Sequence, residues 1–230
     1  MIIEPLYLFV MVVCMVLSFG ASAWVKSATR KWSRVPLGRD LTGKDIAEMI
    51  LRQKGIRGVR IERSRGMLSD HYDPRGKVLR LSPGVYDGKS VTAAGIAAHE
   101  VGHAVQDAEG YGLMRMRQAM VPIAGIGTNL GVWLVIIGAM VGLTSLAHLG
   151  VALFGMFVLF TLITFPIEVD ASERAKKALT AGGFLTSAEA RGVSAVLFAA
   201  AATYLASAVS AVLQLLYWAF RAGMLGSRRD

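Results

Sequence analysis

The chain has 230 residues, 54% of them hydrophobic and 18% charged, which is more apolar than an ordinary soluble domain. Its formal net charge is +9, but the basic residues crowd beside long apolar runs, as membrane topology requires, so the excess does not point to nucleic acid. The single cysteine, Cys14, rules out an intrachain disulfide and a cysteine-rich metal site, and its place in an apolar run reads as a small buried residue.

Four segments are long and apolar enough to cross a bilayer as helices: Leu6–Val25, Val121–Leu143, Leu146–Phe165 and Val193–Phe220. The first is expected to be an anchor, residues 1–25, rather than a cleaved signal peptide. Met1-Ile2-Ile3-Glu4 carries no positive charge, and Lys26, Arg30, Lys31 and Arg34 follow the apolar run. That asymmetry puts the N-terminus outside and the next loop in the cytoplasm.

Residues 26–120 read as a small α+β domain. Thr42-Gly43-Lys44-Asp45 has capping-box spacing, and Ile46, Ile50 and Leu51 recur at helical spacing up to a stop at Gly55. Val59–Glu62 and Lys77–Leu81 alternate as strands, with turn chemistry at Pro74-Arg75-Gly76 between them. Val78–Leu81 is either an internal strand or an edge for an extended substrate backbone. A helix follows over 91–107, with Ser90 as its N-cap.

That helix carries His99-Glu100-Val101-Gly102-His103. His-Glu-x-x-His on a helix places two imidazoles one turn apart on one face, where both can bind one zinc ion. The intervening Glu100 then reaches the metal-bound water as general base. The bland reading, two histidines packed in a core, is strained, because the chain has only four histidines. A longer motif with a third His six residues on is excluded, since Glu109 stands there and Gln106 replaces the expected Gly.

The second and third spans form a transmembrane hairpin, residues 121–166, with a turn near Thr144-Ser145. Residues 26–120 and 167–192 then share one side of the membrane. They hold 18 and four of the 25 Lys and Arg residues, so that side is expected to be cytoplasmic. The third ligand must lie where the hairpin returns. Glu168 stands there and is the expected carboxylate, completing a site for one Zn2+ per chain. Asp170 is an alternative ligand or a partner of a ligating histidine. His148, about 30 Å away along the same helix, is an interfacial residue.

The cluster Ser69-Asp70-His71-Tyr72-Asp73-Pro74 has two readings. His71 or Tyr72 could donate a hydrogen bond to an oxyanion, or the cluster could shape a turn. Gly127-x-x-x-Gly131 and Gly138-x-x-x-Gly142 allow close helix contact inside the bundle or in a homo-oligomer. The fourth span, residues 193–220, leaves the tail 221–230, with Arg221, Arg228 and Arg229, outside if it crosses once. That conflicts with the positive-inside rule, and a re-entrant fourth segment would remove the conflict.

Four stretches together carry a resemblance. They are Asp70-His71-Tyr72-Asp73-Pro74-Arg75, Val78-Leu79-Arg80-Leu81-Ser82, Ala97–Gln106 around the zinc motif, and Pro166–Ala175. With the Ala-rich last span, the chain resembles the neutral zinc metallopeptidases of bacterial membranes, of the YugP type. The resemblance implies an integral membrane zinc peptidase. It also looks like a distant relative of membrane peptidases whose third ligand lies in Glu-x-x-Ala-Asp. Glu168-x-x-Ala171 matches, but Ser172 stands where that pattern has Asp.

The expectation is therefore a mainly α integral membrane protein with about four transmembrane helices. A small α+β zinc-peptidase domain is inserted between the first and second. It would act in the cytoplasmic membrane as a zinc endopeptidase on polypeptides, including membrane proteins. The alternatives are a non-catalytic membrane scaffold with a structural metal site, and a metal-dependent hydrolase of lipid or another amide.

Overall fold

We describe the protein from a computed structural model, which covers residues 4–66 and 69–225. In chain order the elements are α1 (Pro5–Trp32), α2 (Gly43–Gln53), β1 (Arg60–Arg63), β2 (His71–Asp73) and β3 (Val78–Leu81). Then come α3 (Pro83–Tyr86), α4 (Val91–Ala108), α5 (Gly112–Ile126), a π-helical turn (Gly127–Gly131), α6 (Val132–Val141), α7 (Thr144–Ala181) and α8 (Ser187–Arg221). Four stretches are long and apolar enough to cross a membrane: Pro5–Trp32, Gly112–Val141, Thr144–Ala181 and Ser187–Arg221.

The chain forms two compact units. One comprises Ser22–Arg115 and Ile167–Ala202, the other Met1–Ala21, Met116–Pro166 and Thr203–Asp230. This corrects the expectation of a domain inserted between the first and second membrane helices. The unit that holds the sheet also takes in the second part of α7 and the first part of α8. The physical reason lies in its core, where Ala175, Ala178, Leu179, Val193 and Leu197 are buried with residues of α2, β3 and α4. Without those two helices, α4 would keep its cover from α2 and the sheet and lose the cover that α7 and α8 supply.

Within the sheet-bearing unit, α2 starts in a full capping box. The Asp45 backbone N–H donates to Thr42 Oγ1 at 3.1 Å, and the Thr42 N–H donates to Asp45 Oδ2 at 2.9 Å. The helix ends as Gly55 takes φ +66°, a conformation that costs glycine little. Its face Ile46, Ala47, Ile50 and Leu51 is buried and packs on α4. The strand order is β1-β3-β2, with β1 parallel and β2 antiparallel to β3. Since β3 is paired on both sides, the internal-strand reading of Val78–Leu81 holds and no edge is left there for a substrate. Asp73 Oδ1 accepts from the N–H groups of Arg75 and Gly76, closing the turn that leads into β3.

The other unit carries broad apolar exposure, including Phe9, Phe19, Trp133 and Met140, each more than 60% exposed, as a lipid-facing surface requires. Glycines allow close contact with α7. A Cβ on Gly127 would lie 2.4 Å from the Leu153 carbonyl oxygen, and one on Gly138 2.5 Å from the Ala147 nitrogen. Gly142 does not pack; it is the left-handed cap of α6 at φ +73°, so the hairpin turns at Gly142-Leu143 and Thr144 already begins α7. His148 Nε2 bonds the Ala222 carbonyl at 2.9 Å. Arg221 Nε lies 3.3 Å from Glu4 Oε2, so the last turn of α8 meets the start of α1. α8 is a single continuous 35-residue helix, with no break at which it could re-enter, and Glu4 offsets the charge of Arg221. Arg228 and Arg229 lie outside the described residues.

Candidate metal centre

The site lies within the sheet-bearing unit, on α4 and α7. Ser90 caps α4 by accepting from the Ala93 N–H at 3.2 Å. The four-residue spacing then brings the His99 and His103 rings to 4.8 Å between centroids, edge to face. α7 comes close because Gly102 has no side chain: a Cβ there would stand 2.5 Å from the Ala171 carbonyl oxygen. Ala171 and Ala175 keep the facing side of α7 equally small. Glu168, one turn before Ala171, is thereby delivered to the two histidines and is 3% exposed.

One carboxylate oxygen serves both rings. Glu168 Oε2 is 3.2 Å from His99 Nε2 and 3.5 Å from His103 Nε2. Donors on a tetrahedral zinc with bonds of about 2.0–2.2 Å stand roughly 3.3–3.6 Å apart, so the spacing is close to what that ion takes. One ligand atom from each of the three residues lies within 4.8 Å of the others. Two imidazoles and a carboxylate are also a donor set that zinc accepts well. The residues present fit the metal.

The ring nitrogens that face away from Glu168 are occupied too. His99 Nδ1 is 3.1 Å from Ser172 Oγ. His103 Nδ1 is 2.9 Å from Gln106 Oε1. The Gln106 amide Nε2 donates to the Ile167 carbonyl at 2.9 Å and to Asp170 Oδ2 at 2.8 Å. Asp170 also accepts from Arg174 Nε, and Arg174 reaches Glu109 with another nitrogen. Asp170 thus touches the site through Gln106 rather than directly, and Glu109 is engaged away from it. Burial pulls the His103 pKa down. The hydrogen bond and charge of Glu168, together with the charge of Glu100, outweigh burial and raise it.

Glu100 lies between the histidines in sequence and is buried at 8% exposure. Among the described residues its carboxylate makes no hydrogen bond or ion pair. The other two candidates have partners of their own. Tyr72 donates its hydroxyl to Asp107 Oδ2 at 2.7 Å, and burial followed by that bond pushes its pKa up. His71 is exposed on β2, with Nδ1 2.8 Å from the Ser69 carbonyl and Nε2 3.3 Å from Arg80. Sequence alone does not mark Gln106 and Ser172 as partners of the histidines. Gln106 lies three residues after His103 on one helix face, and that spacing was the available signal.

Comparison with known proteins agrees with this geometry. The family described as "putative neutral zinc metallopeptidase" matches residues 7–223. The chain is 41% identical over 211 residues to a Bacillus subtilis (strain 168) protein named "Putative membrane protease YugP", covering 92% of this chain and 94% of that one. No solved structure matches it. A largely buried His-His-Glu cluster at zinc spacing and a family match along nearly the whole chain agree, and the chain belongs to this neutral zinc metallopeptidase family.

Proposed function

We propose that the protein is a membrane-embedded zinc endopeptidase in which His99, His103 and Glu168 hold one Zn2+ and Glu100 is the general base. The observation that carries this reading is the convergence of both imidazole Nε2 atoms on the single buried oxygen Glu168 Oε2, at 3.2 and 3.5 Å. Zinc bound there would supply Lewis acidity and lower the pKa of a water toward about 7.

The chain's own residues do the rest. Glu100 has an uncommitted carboxylate in a buried setting, so it can take the proton of the attacking water and deliver it to the leaving nitrogen. A structural site would have no use for such a group, which favours catalysis over a scaffold. Three protein donors on a four-coordinate ion would leave its fourth position to water, as in an open catalytic site. His71 and Tyr72 are held by other partners, so their contribution is to the sheet and the end of α4.

The four apolar helices support substrates that are themselves in or at the membrane. The crowding of Lys and Arg in residues 26–120 and 167–192 supports a site on the cytoplasmic side of the cytoplasmic membrane. The test is metal content by elemental mass spectrometry on detergent-purified protein. About one zinc per chain is expected in the wild type and in Asp170→Ala, and a large loss in Glu168→Ala. Full retention in Glu168→Ala would move the third ligand elsewhere, and a metal-free wild type would overturn the reading.

A further inference from the structure

The proton on His103 is placed by the three atoms around the Gln106 amide. The amide Nε2 faces the Ile167 carbonyl at 2.9 Å and Asp170 Oδ2 at 2.8 Å. A backbone carbonyl and a carboxylate that Arg174 already holds can only accept. The amide nitrogen must therefore point at them, and both of its hydrogens are used. Gln106 Oε1 is left facing His103 Nδ1 at 2.9 Å, and an oxygen there can only accept. The proton must be on Nδ1. In the neutral ring Nε2 then carries the lone pair, and Nε2 is the atom that looks at Glu168 Oε2.

We propose that Gln106 is a positioning residue: clamped by the Ile167 carbonyl and the Asp170 carboxylate, it holds His103 with its proton on Nδ1 and its Nε2 open to the metal. The assignment rests on the zinc site proposed above and adds to it the device that fixes one ligand before the ion arrives. Gln106 is fully buried, at 0% exposure, so water does not compete for its amide, and turning the amide over would set its nitrogen hydrogens against His103 and its oxygen against a carbonyl and a carboxylate. The arrangement also links the two halves of the site. The residue that orients a ligand of α4 is itself oriented by Ile167 and Asp170, which flank Glu168 on α7.

His99 has no such lock. Its Nδ1 meets Ser172 Oγ at 3.1 Å, and a hydroxyl can donate or accept with equal ease. The two ligands are therefore unequal: His103 is pre-set, and His99 adapts.

The test uses the full chain in detergent, labelled with 15N at its four histidines, and Zn2+ alone as the probe. In the zinc-loaded wild type, the long-range 15N–1H spectrum should show His103 with a protonated Nδ1 and a metal-shifted Nε2. The opposite pattern would overturn the proposal with no variant needed. Gln106→Met keeps the volume and removes the amide. It should weaken zinc about 10–100-fold in competition with a chromophoric chelator, and Ser172→Ala should weaken it less. Equal affinity in Gln106→Met, with an unchanged His103 pattern, would reduce Gln106 to packing. The two readings fail separately. If the wild type binds no zinc, the metal site fails, and the metal-free spectrum at alkaline pH still reports which nitrogen of His103 holds the proton.

Discussion

Gly102 and Ala171 bring the backbones of α4 and α7 together: a Cβ on Gly102 would sit 2.5 Å from the Ala171 carbonyl oxygen and 3.1 Å from its carbonyl carbon. Backbone cannot step aside as a side chain can. Gly102→Ala should therefore separate the helices and destabilise the fold by about 1–3 kcal/mol, and weaken zinc binding with it. Gly95 is the control, because its nearest atoms belong to the Val193 side chain at 3.4 Å or more, and Gly95→Ala should be near neutral. Thermal melts and zinc competition on both variants check the pair. A Gly102→Ala protein with wild-type melting and affinity would mean that the approach is not needed.

Glu100→Gln keeps the size of the side chain and removes its basicity. It should retain one zinc per chain and lose peptide cleavage by about 10²–10⁴-fold. Elemental analysis beside a cleavage assay on denatured membrane-protein substrates reads both. Normal cleavage by this variant would sink the general-base role.

Tyr72 and Lys77 both bond Asp107, near the end of α4. Tyr72→Phe should cost about 0.5–1.5 kcal/mol of stability and lower cleavage less than tenfold. His71→Ala, on the exposed face of β2, should change cleavage as little. A fall of 100-fold or more in either, with zinc retained, would assign an oxyanion role to that residue.

The Asp45 carboxylate is held below its ordinary pKa, first by the Thr42 hydroxyl and then by the Thr42 backbone N–H. A depressed folded pKa contributes stability above the unfolded pKa of about 4 and loses it as pH falls further. Asp45→Ala should thus lower stability by about 1 kcal/mol at pH 7. The difference from wild type should shrink as pH is taken below 4, as urea titrations at both pH values would show. A gap that stays constant down to pH 3 would rule out the charge as its source.

Local patterns of sequence reached far into this structure. The capping box at Thr42, the N-cap at Ser90 and the four apolar helices are set by neighbours in the chain, so spacing alone exposes them. Glu168 was within reach because two spans joined by a tight turn must bring the chain back. The sheet-bearing unit was harder to delimit, because Leu179 and Val193 enter its core from helices that read as membrane and linker. Nor does sequence show that β3 is paired on both sides, since strand order is a tertiary fact. Gln106 had only the weakest trace. A glutamine on a helix reads as a solvated residue until its three partners on two helices are seen together.

The proposed ligands are split across the chain: His103 and Glu168 are 65 positions apart. A ribosome adding about 5–20 residues per second needs roughly 3–13 s to cover that interval. Throughout it the nascent chain carries His99, Glu100 and His103, but not yet Glu168. Completion waits until the third membrane segment has been made and has turned back. Under the proposed function, the order of synthesis would by itself withhold a complete ligand set from a half-made chain.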